Sequence, residues 1–399
     1  PNAKRQTPNA NTINSGIAAR ATLIGKPDTN LMHSKSIEGN KVAVTIGIFQ
    51  RASTSIVIAL LTSVPAFSQE LVPVFPGVTT LGERTIPAPA GVSPEMTKII
   101  MTRQIPPDIP VPGTQEAWLK LQALFDAPGD ELGRKGAAHN GATYEVTEIG
   151  GVPAYVVTPK SINPRWGDRV FVHVHGGAFV FGGGDSVLRE AVWAADGLGV
   201  KVISVDYRRP PLDLFPAAIE DVVAVWQEVI KDQNPAETAL FGTSAGGNLT
   251  LATTLRLKEL GVPLPGVLFA GTPATDLQNT SDTWQTLEGL DPLGKREGLI
   301  EAAFNLYSGD EDLSNPLLSP INGDLETLPP TILISGTRDL LLSDTVRMHR
   351  ALRQAGVKAD LHVYDGQAHG DYLQSLTGFV PESKDAQREL YEFFDEHLE

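Results

Sequence analysis

Ser244 is the residue in this chain placed for covalent chemistry. It lies in Gly242-Thr243-Ser244-Ala245-Gly246, between an apolar run, Ala239-Leu240-Phe241, and an amphipathic stretch that follows without a break. That order predicts a strand, a sharp turn and a helix, with the serine hydroxyl lifted clear of the sheet edge. Glycines at 242 and 246 fit such a turn because a side chain at either position would meet the adjoining strand and helix. The Ala245 amide then falls at a helix N-terminus, where it can face developing negative charge. A pentapeptide of this kind also arises by chance, so its partners must decide its meaning.

A serine hydroxyl is a weak nucleophile. It needs a general base, a carboxylate to orient that base, and donors for the oxyanion. In a sheet with this kind of turn the acid and then the base follow the serine, each in a loop after a strand. Four histidines follow Ser244. His349 falls in a helical stretch, His362 within a strand and His397 in the terminal helix, whereas His369 sits in Asp365-Gly366-Gln367-Ala368-His369-Gly370, directly after a strand. His369 is therefore the expected base. For the acid, Asp339 follows the strand at 331–335 through Gly336-Thr337-Arg338; Asp344, read as a cap of the next helix, and Asp365 stand behind it. His175-Gly176-Gly177-Ala178 follows an earlier strand, and its glycines let amides turn inward toward a substrate carbonyl. Strand, His-Gly-Gly, strand, serine turn is the order that acyl transfer needs.

The elements that must position these residues alternate. A hairpin at 142–149 and 152–158 turns on Gly150-Gly151, and further strands are expected at 169–175, 201–207, 238–241, 267–270, 331–335 and 360–364. Between them helices are expected at 186–198, 216–231, 245–260 and 343–355, with a last one at about 384–398. This alternation implies an α/β class: a mostly parallel sheet flanked by helices, with the hairpin as its antiparallel edge. Two helices precede the strands. One opens at Ser93-Pro94; the other opens at Thr114 and shows Ala117, Trp118, Leu121, Leu124 and Phe125 on one side. The long interval 272–330 breaks the alternation and carries its own helix, at about 295–307; with 93–127 it is expected to cover the site as a cap.

The chain has 399 residues and a net charge of −15, unevenly distributed. Residues 1–68 hold seven Lys and Arg against two carboxylates, so the remainder is strongly acidic. Such a body is a poor partner for nucleic acid or an anionic membrane. There are no cysteines, which excludes disulfides, thiolate metal sites and a cysteine nucleophile. Met32 reads as a natural start. Lys35, Lys41 and Arg51 then precede an apolar core, 56–61, and Ala66-Phe67-Ser68 places small residues where a signal peptidase cuts. The core is too short to anchor in a bilayer. The expectation is a signal segment over 32–68, a mature chain from about Gln69, and a periplasmic or secreted protein. The domain reading is 1–68 outside the fold, 69–141 as lead-in and cap helices, and 142–399 as the core.

Taken together these residues resemble the hormone-sensitive-lipase-like branch of the α/β-hydrolase fold, its bacterial carboxylesterases. The likeness covers about residues 93–398 and rests on His175-Gly176-Gly177, Asp206-Tyr207-Arg208, Phe215-Pro216-Ala217-Ala218, Gly242-Thr243-Ser244-Ala245-Gly246-Gly247, Asp339 after Gly336, and His369-Gly370. Thr243 stands where Asp is commoner in that branch, and Ala178 where Gly is commoner. The resemblance implies an α/β-hydrolase fold with a helical cap, Ser244 as nucleophile with Asp339 and His369, and an oxyanion hole of the Gly176, Gly177 and Ala245 amides. It also implies a serine esterase for short acyl chains that needs neither metal nor cofactor and takes a small-molecule ester. Lactone, amide or carbamate hydrolysis by the same triad, and a non-catalytic ligand receptor on the same fold, are the alternatives.

Overall fold

The computed structural model describes residue 79 and residues 82–399. The signal-like segment 32–68 and the expected start at Gln69 lie outside the described residues. All the described elements belong to one unit, Glu83–Glu399.

Two helices come first, α1 (Pro94–Thr102) and α2 (Gln115–Asn140). Each starts as its sequence requires: Ser93 Oγ accepts the Met96 amide with Pro94 in the first turn, and Thr114 Oγ1 accepts the Ala117 amide. The apolar side expected for α2 is only partly correct. Trp118 and Gln122 are buried, but Leu124 is 68 % exposed. The helix also runs on through Pro128, because Gly129 and Gly133 lay its second half closely against the turn Gly184–Val187 and the helix beyond it, and Gly136 lets it approach Leu376. Close packing of that half outweighs the hydrogen bond that proline removes.

The sheet has eight strands: β1 (Thr143–Ile149), β2 (Val152–Thr158), β3 (Val170–Val174), β4 (Lys201–Val205), β5 (Ala239–Thr243), β6 (Val267–Gly271), β7 (Thr331–Gly336) and β8 (Ala359–Tyr364). Their spatial order is β1-β2-β4-β3-β5-β6-β7-β8. The β1–β2 hairpin and the β2–β4 pair are antiparallel and the rest are parallel, as the alternation of elements predicts. Central strands such as β5 and β6 are buried at every residue, which is why they read as unbroken apolar runs rather than alternating ones.

Helices α4 (Ala217–Val229), α5 (Ala245–Leu260) and α8 (Leu342–Gln354) pack on one face of the sheet. Helices α3 (Leu188–Leu198) and α9 (Pro381–His397) pack on the other. The interval 272–330 contains a single turn of helix, α6 (Thr283–Thr286), and α7 (Leu299–Ser308). Helix α7 starts later than the expected 295 because Gly298 has φ +97°, a conformation outside the helical region. Asp344 is not a helix cap. It lies inside α8, fully buried, and accepts from Ser281 Oγ and, at 3.4 Å, from the Asp276 amide. No helix among the described residues is long and apolar enough to cross a membrane.

Candidate active site

The turn after β5 stands at the carboxyl edge of the sheet. Ser244 has φ 65° and ψ −123°, held by its amide bonding Gly271 O (2.8 Å) and by its carbonyl accepting the Asn248 amide (3.0 Å). Positive φ at a non-glycine residue is strained, and the turn pays for it with a serine side chain clear of both neighbours. The flanking glycines are sterically required. A Cβ on Gly242 would lie 2.2 Å from Val174 O, and one on Gly246 would lie 2.0 Å from the same atom. Helix α5 begins at Ala245, so that residue's N–H has no acceptor within the helix.

The loops after β7 and β8 meet beside this turn. His369 Nδ1 lies 3.0 Å from Asp339 Oδ1, and Asp339 is completely buried. Ser335 Oγ donates to Asp339 Oδ2 (2.6 Å) and the Leu341 amide donates to Oδ1 (2.9 Å), so the carboxylate is fixed from three directions. Burial disfavours the imidazolium, but the Asp339 hydrogen bond and the charges of Asp339, Asp291 and Asp371 outweigh it and raise the His369 pKa above the ordinary histidine value. The other candidates fall away by position. Asp365 is exposed and accepts from Thr337 Oγ1, His362 pairs with Glu389, His349 Nε2 faces Ala359 O, and His397 Nδ1 faces Phe393 O.

The glycine loop closes the site from the β3 side. A Cβ on Gly176 would stand 3.2 Å from Ser244 Cβ, which measures how near the loop comes to the serine. The carbonyls of His175, Gly176 and Gly177 are all engaged, accepting from Tyr207 OH (2.9 Å), His175 Nδ1 (2.7 Å) and the Phe181 amide (2.8 Å). Among the described residues the Gly176 and Gly177 amides bond no protein acceptor. The Asp206-Tyr207-Arg208 stretch props this loop. Tyr207 stacks on the His175 ring at 4.0 Å, Asp206 Oδ2 accepts the Gly184 amide, and Arg208 pairs with Asp221 of α4. Burial, with the Arg209 charge, pushes the His175 pKa well below the ordinary value, so this ring is neutral. Ala178 has φ 51°, the reason a glycine suits that position better.

Ser244, His369, Gly176, Gly177 and Thr243 line one cavity of about 730 Å³. The interval 272–330 contributes Trp284, Leu293 and Phe304 to its wall, and the N-terminal segment contributes Pro106, Ile109 and Phe125. Among the described residues no group of three His, Asp or Glu side chains stands together as a metal-ligand set.

Several contacts around the site were not legible in the sequence. Thr243 Oγ1 donates to buried Glu190 of α3 (2.5 Å) and lies 2.6 Å from Tyr372 OH, joining the serine turn to the segment after the histidine. Asp371 accepts the Ala368 amide (2.7 Å) and forms a buried ion pair with Arg103, just past α1. Asp291, in the long interval, accepts the His369 and Leu340 amides, both at 3.0 Å. These contacts join residues far apart in sequence, and no local spacing announces them.

The family model of the alpha/beta hydrolase fold matches residues 171–373. An acetyl-hydrolase of Streptomyces hygroscopicus is 31 % identical over 229 residues, covering 56 % of this chain and 75 % of the relative. The crystal structure of esterase E25 aligns with TM-score 0.77 and 43 % identity over 81 % of this chain and 99 % of its own. A crystal structure described as an esterase from the bacterial hormone-sensitive lipase family aligns with TM-score 0.63 and 28 % identity, covering 77 % of this chain and 99 % of its own. With its eight-stranded sheet, serine turn, glycine loop and facing Asp339 and His369 loops, the chain belongs to the α/β-hydrolase fold family, in the hormone-sensitive-lipase branch of carboxylic ester hydrolases.

Proposed function

We propose that the protein is a serine carboxylesterase working through an acyl-enzyme on Ser244. The observation that carries this reading is the His369 Nδ1–Asp339 Oδ1 contact at 3.0 Å, at the edge of a cavity that Ser244 and the glycine loop share. With Nδ1 committed to Asp339, the His369 lone pair is on Nε2, and Nε2 takes the proton as Ser244 Oγ attacks the ester carbonyl. The oxyanion forms against the Gly176, Gly177 and Ala245 amides. His369 then protonates the leaving alcohol, and water activated by the same nitrogen releases the acid. Residues 93–127 and the interval 272–330 act as the two parts of the cap. The acetyl group named for the Streptomyces relative supports short acyl chains as substrates.

The test is turnover of p-nitrophenyl acetate and butyrate, with lactone and amide analogues in parallel, by wild type, Ser244→Ala and His369→Ala. The expected result is loss of ester turnover in both variants and loss of fluorophosphonate labelling in Ser244→Ala. Near-wild-type ester turnover in either variant refutes the mechanism, and faster lactone or amide cleavage by wild type reassigns the substrate. Export belongs to the same proposal: protein recovered from its native host should begin near Gln69, and mass spectrometry finding residues 40–68 intact would overturn that part.

A further inference from the structure

Asp291 is a completely buried carboxylate whose three hydrogen bonds all come from backbone amides. Oδ2 accepts from Leu340 N–H and from His369 N–H, each at 3.0 Å, and Oδ1 accepts from Leu293 N–H at 2.8 Å. Those donors belong to three separate pieces of the site. Leu340 directly follows Asp339 in the loop after β7, His369 is the base itself in the loop after β8, and Leu293 is part of the cavity wall. One side chain therefore spans the acid loop, the base and the wall.

The three bonds fall on both oxygens, which an ionised carboxylate accepts without a proton to place, whereas a neutral amide would turn its NH₂ against one of the donors. The negative charge that this bonding calls for stands beside His369, which becomes positive each time it takes a proton. The charged groups that act on Asp291 are His369 from the loop after β8 and Asp339 from the loop after β7. Asp371 acts on His369 from the same loop, and Arg103, past the end of α1, pairs with Asp371 and donates to Leu290 O at 3.4 Å. Burial raises the Asp291 pKa and the His369 charge draws it back, the mark of two groups that sense each other.

We infer that Asp291 is a positioning residue: it ties the His369 backbone to the loop of Asp339, and its charge supports the imidazolium formed when Ser244 loses its proton. The inference rests on the reading of Ser244, Asp339 and His369 as a triad.

The experiment compares full-length wild type, Asp291→Asn, Asp291→Glu and Ser244→Ala with p-nitrophenyl butyrate from pH 5 to 9. Rates are expressed per site labelled by a fluorophosphonate, which removes loss caused by misfolding. For Asp291→Asn, kcat should fall about 10- to 100-fold with KM changed less than about threefold. Removing the negative charge also lowers the His369 pKa, so the acid-side midpoint of kcat/KM should move to lower pH. A purely structural role would reduce the number of labelled sites and leave the midpoint in place. Asp291→Glu keeps the charge but displaces it, and should lose kcat while holding the midpoint near wild type; it decides the matter if the Asn variant does not fold. Wild-type kcat per labelled site with an unmoved midpoint, in either variant, overturns the inference. If Ser244→Ala stays active, the triad reading itself has failed. If Ser244→Ala is inert and the Asp291 variants match wild type, only this inference has.

Discussion

Asp339→Asn separates charge from geometry in the proposed triad. Asp339 Oδ1 receives the His369 ring and the Leu341 amide, and Oδ2 receives the Ser335 hydroxyl. An asparagine with its oxygen at the Oδ1 position keeps the first two bonds, and the Ser335 hydroxyl rotates to accept from the new NH₂. The fold should therefore survive with the charge gone. Two unit charges about 4 Å apart attract by about 4 kcal/mol at an effective dielectric of about 20. The charge on His369 exists mainly in the transition state and the intermediate, so most of that energy comes off catalysis and little off substrate binding. At 1.36 kcal/mol per decade this is a loss of about 10³-fold in kcat. The assay is steady-state hydrolysis of p-nitrophenyl butyrate at pH 8, with Asp365→Asn and Asp344→Asn alongside. Asp365 is exposed and takes only the Thr337 hydroxyl, so its variant should keep kcat within about threefold. Asp344 is buried in α8 against Ser281 and Asp276, so its variant should change the melting temperature rather than kcat. A kcat for Asp339→Asn within tenfold of wild type, or a collapse of kcat in the Asp365 variant, would show that the acid has been misassigned.

Other outcomes are expected from the same contacts. Because His369 must be neutral to act as base and its pKa is raised, kcat/KM should fall as pH drops through a midpoint above about 6.5; a midpoint below 6 measured with an uncharged ester contradicts the Asp339 contact. Asp344 is pushed up to about 7 by burial, so it binds more protons folded than unfolded, and its contribution to stability declines as pH rises from about 4 to 7. Asp344→Asn should flatten that part of the melting-temperature profile, and an unchanged slope would refute the assignment. Ala178→Gly should relieve a φ of 51° and raise stability by about 1 kcal/mol, read as a higher melting temperature with turnover retained; a lower melting temperature would mean the loop is not strained there.

The serine turn was legible because it is local. Both glycines stand in one pentapeptide directly after an apolar run, so the motif is visible in the sequence, although the oxygen that forbids a Cβ at either position, Val174 O of β3, is supplied by the fold. The strands were legible for the same reason: β5 and β6 bury every residue, and the glycine-turned hairpin announces the antiparallel edge. Chain order alone put Asp339 and His369 in loops after consecutive strands, which a parallel sheet brings to one edge. Helix ends were less legible. Helix α2 runs on through Pro128, since close packing of the glycine face beyond it decides, and Leu124 points outward although its spacing places it with Trp118.

What tertiary structure alone decided is which polar groups share a buried environment. Nothing in the spacing of Asp291, Glu190 or Arg103 distinguishes them from solvated charges. Asp291 gains its meaning from amides 49 and 78 residues away, Glu190 from Thr243 53 residues away, and Arg103 from Asp371 268 residues away. A buried charge must find partners wherever the fold supplies them, and the distances along the chain to those partners follow from packing rather than from any sequence period. The sequence by itself determined the serine turn, the chain order of the Asp339 and His369 loops and the parallel sheet that brings them to one edge, because each is written in local motifs and in the alternation of strands and helices. The carboxylates that hold those partners in place were determined only when the loops met.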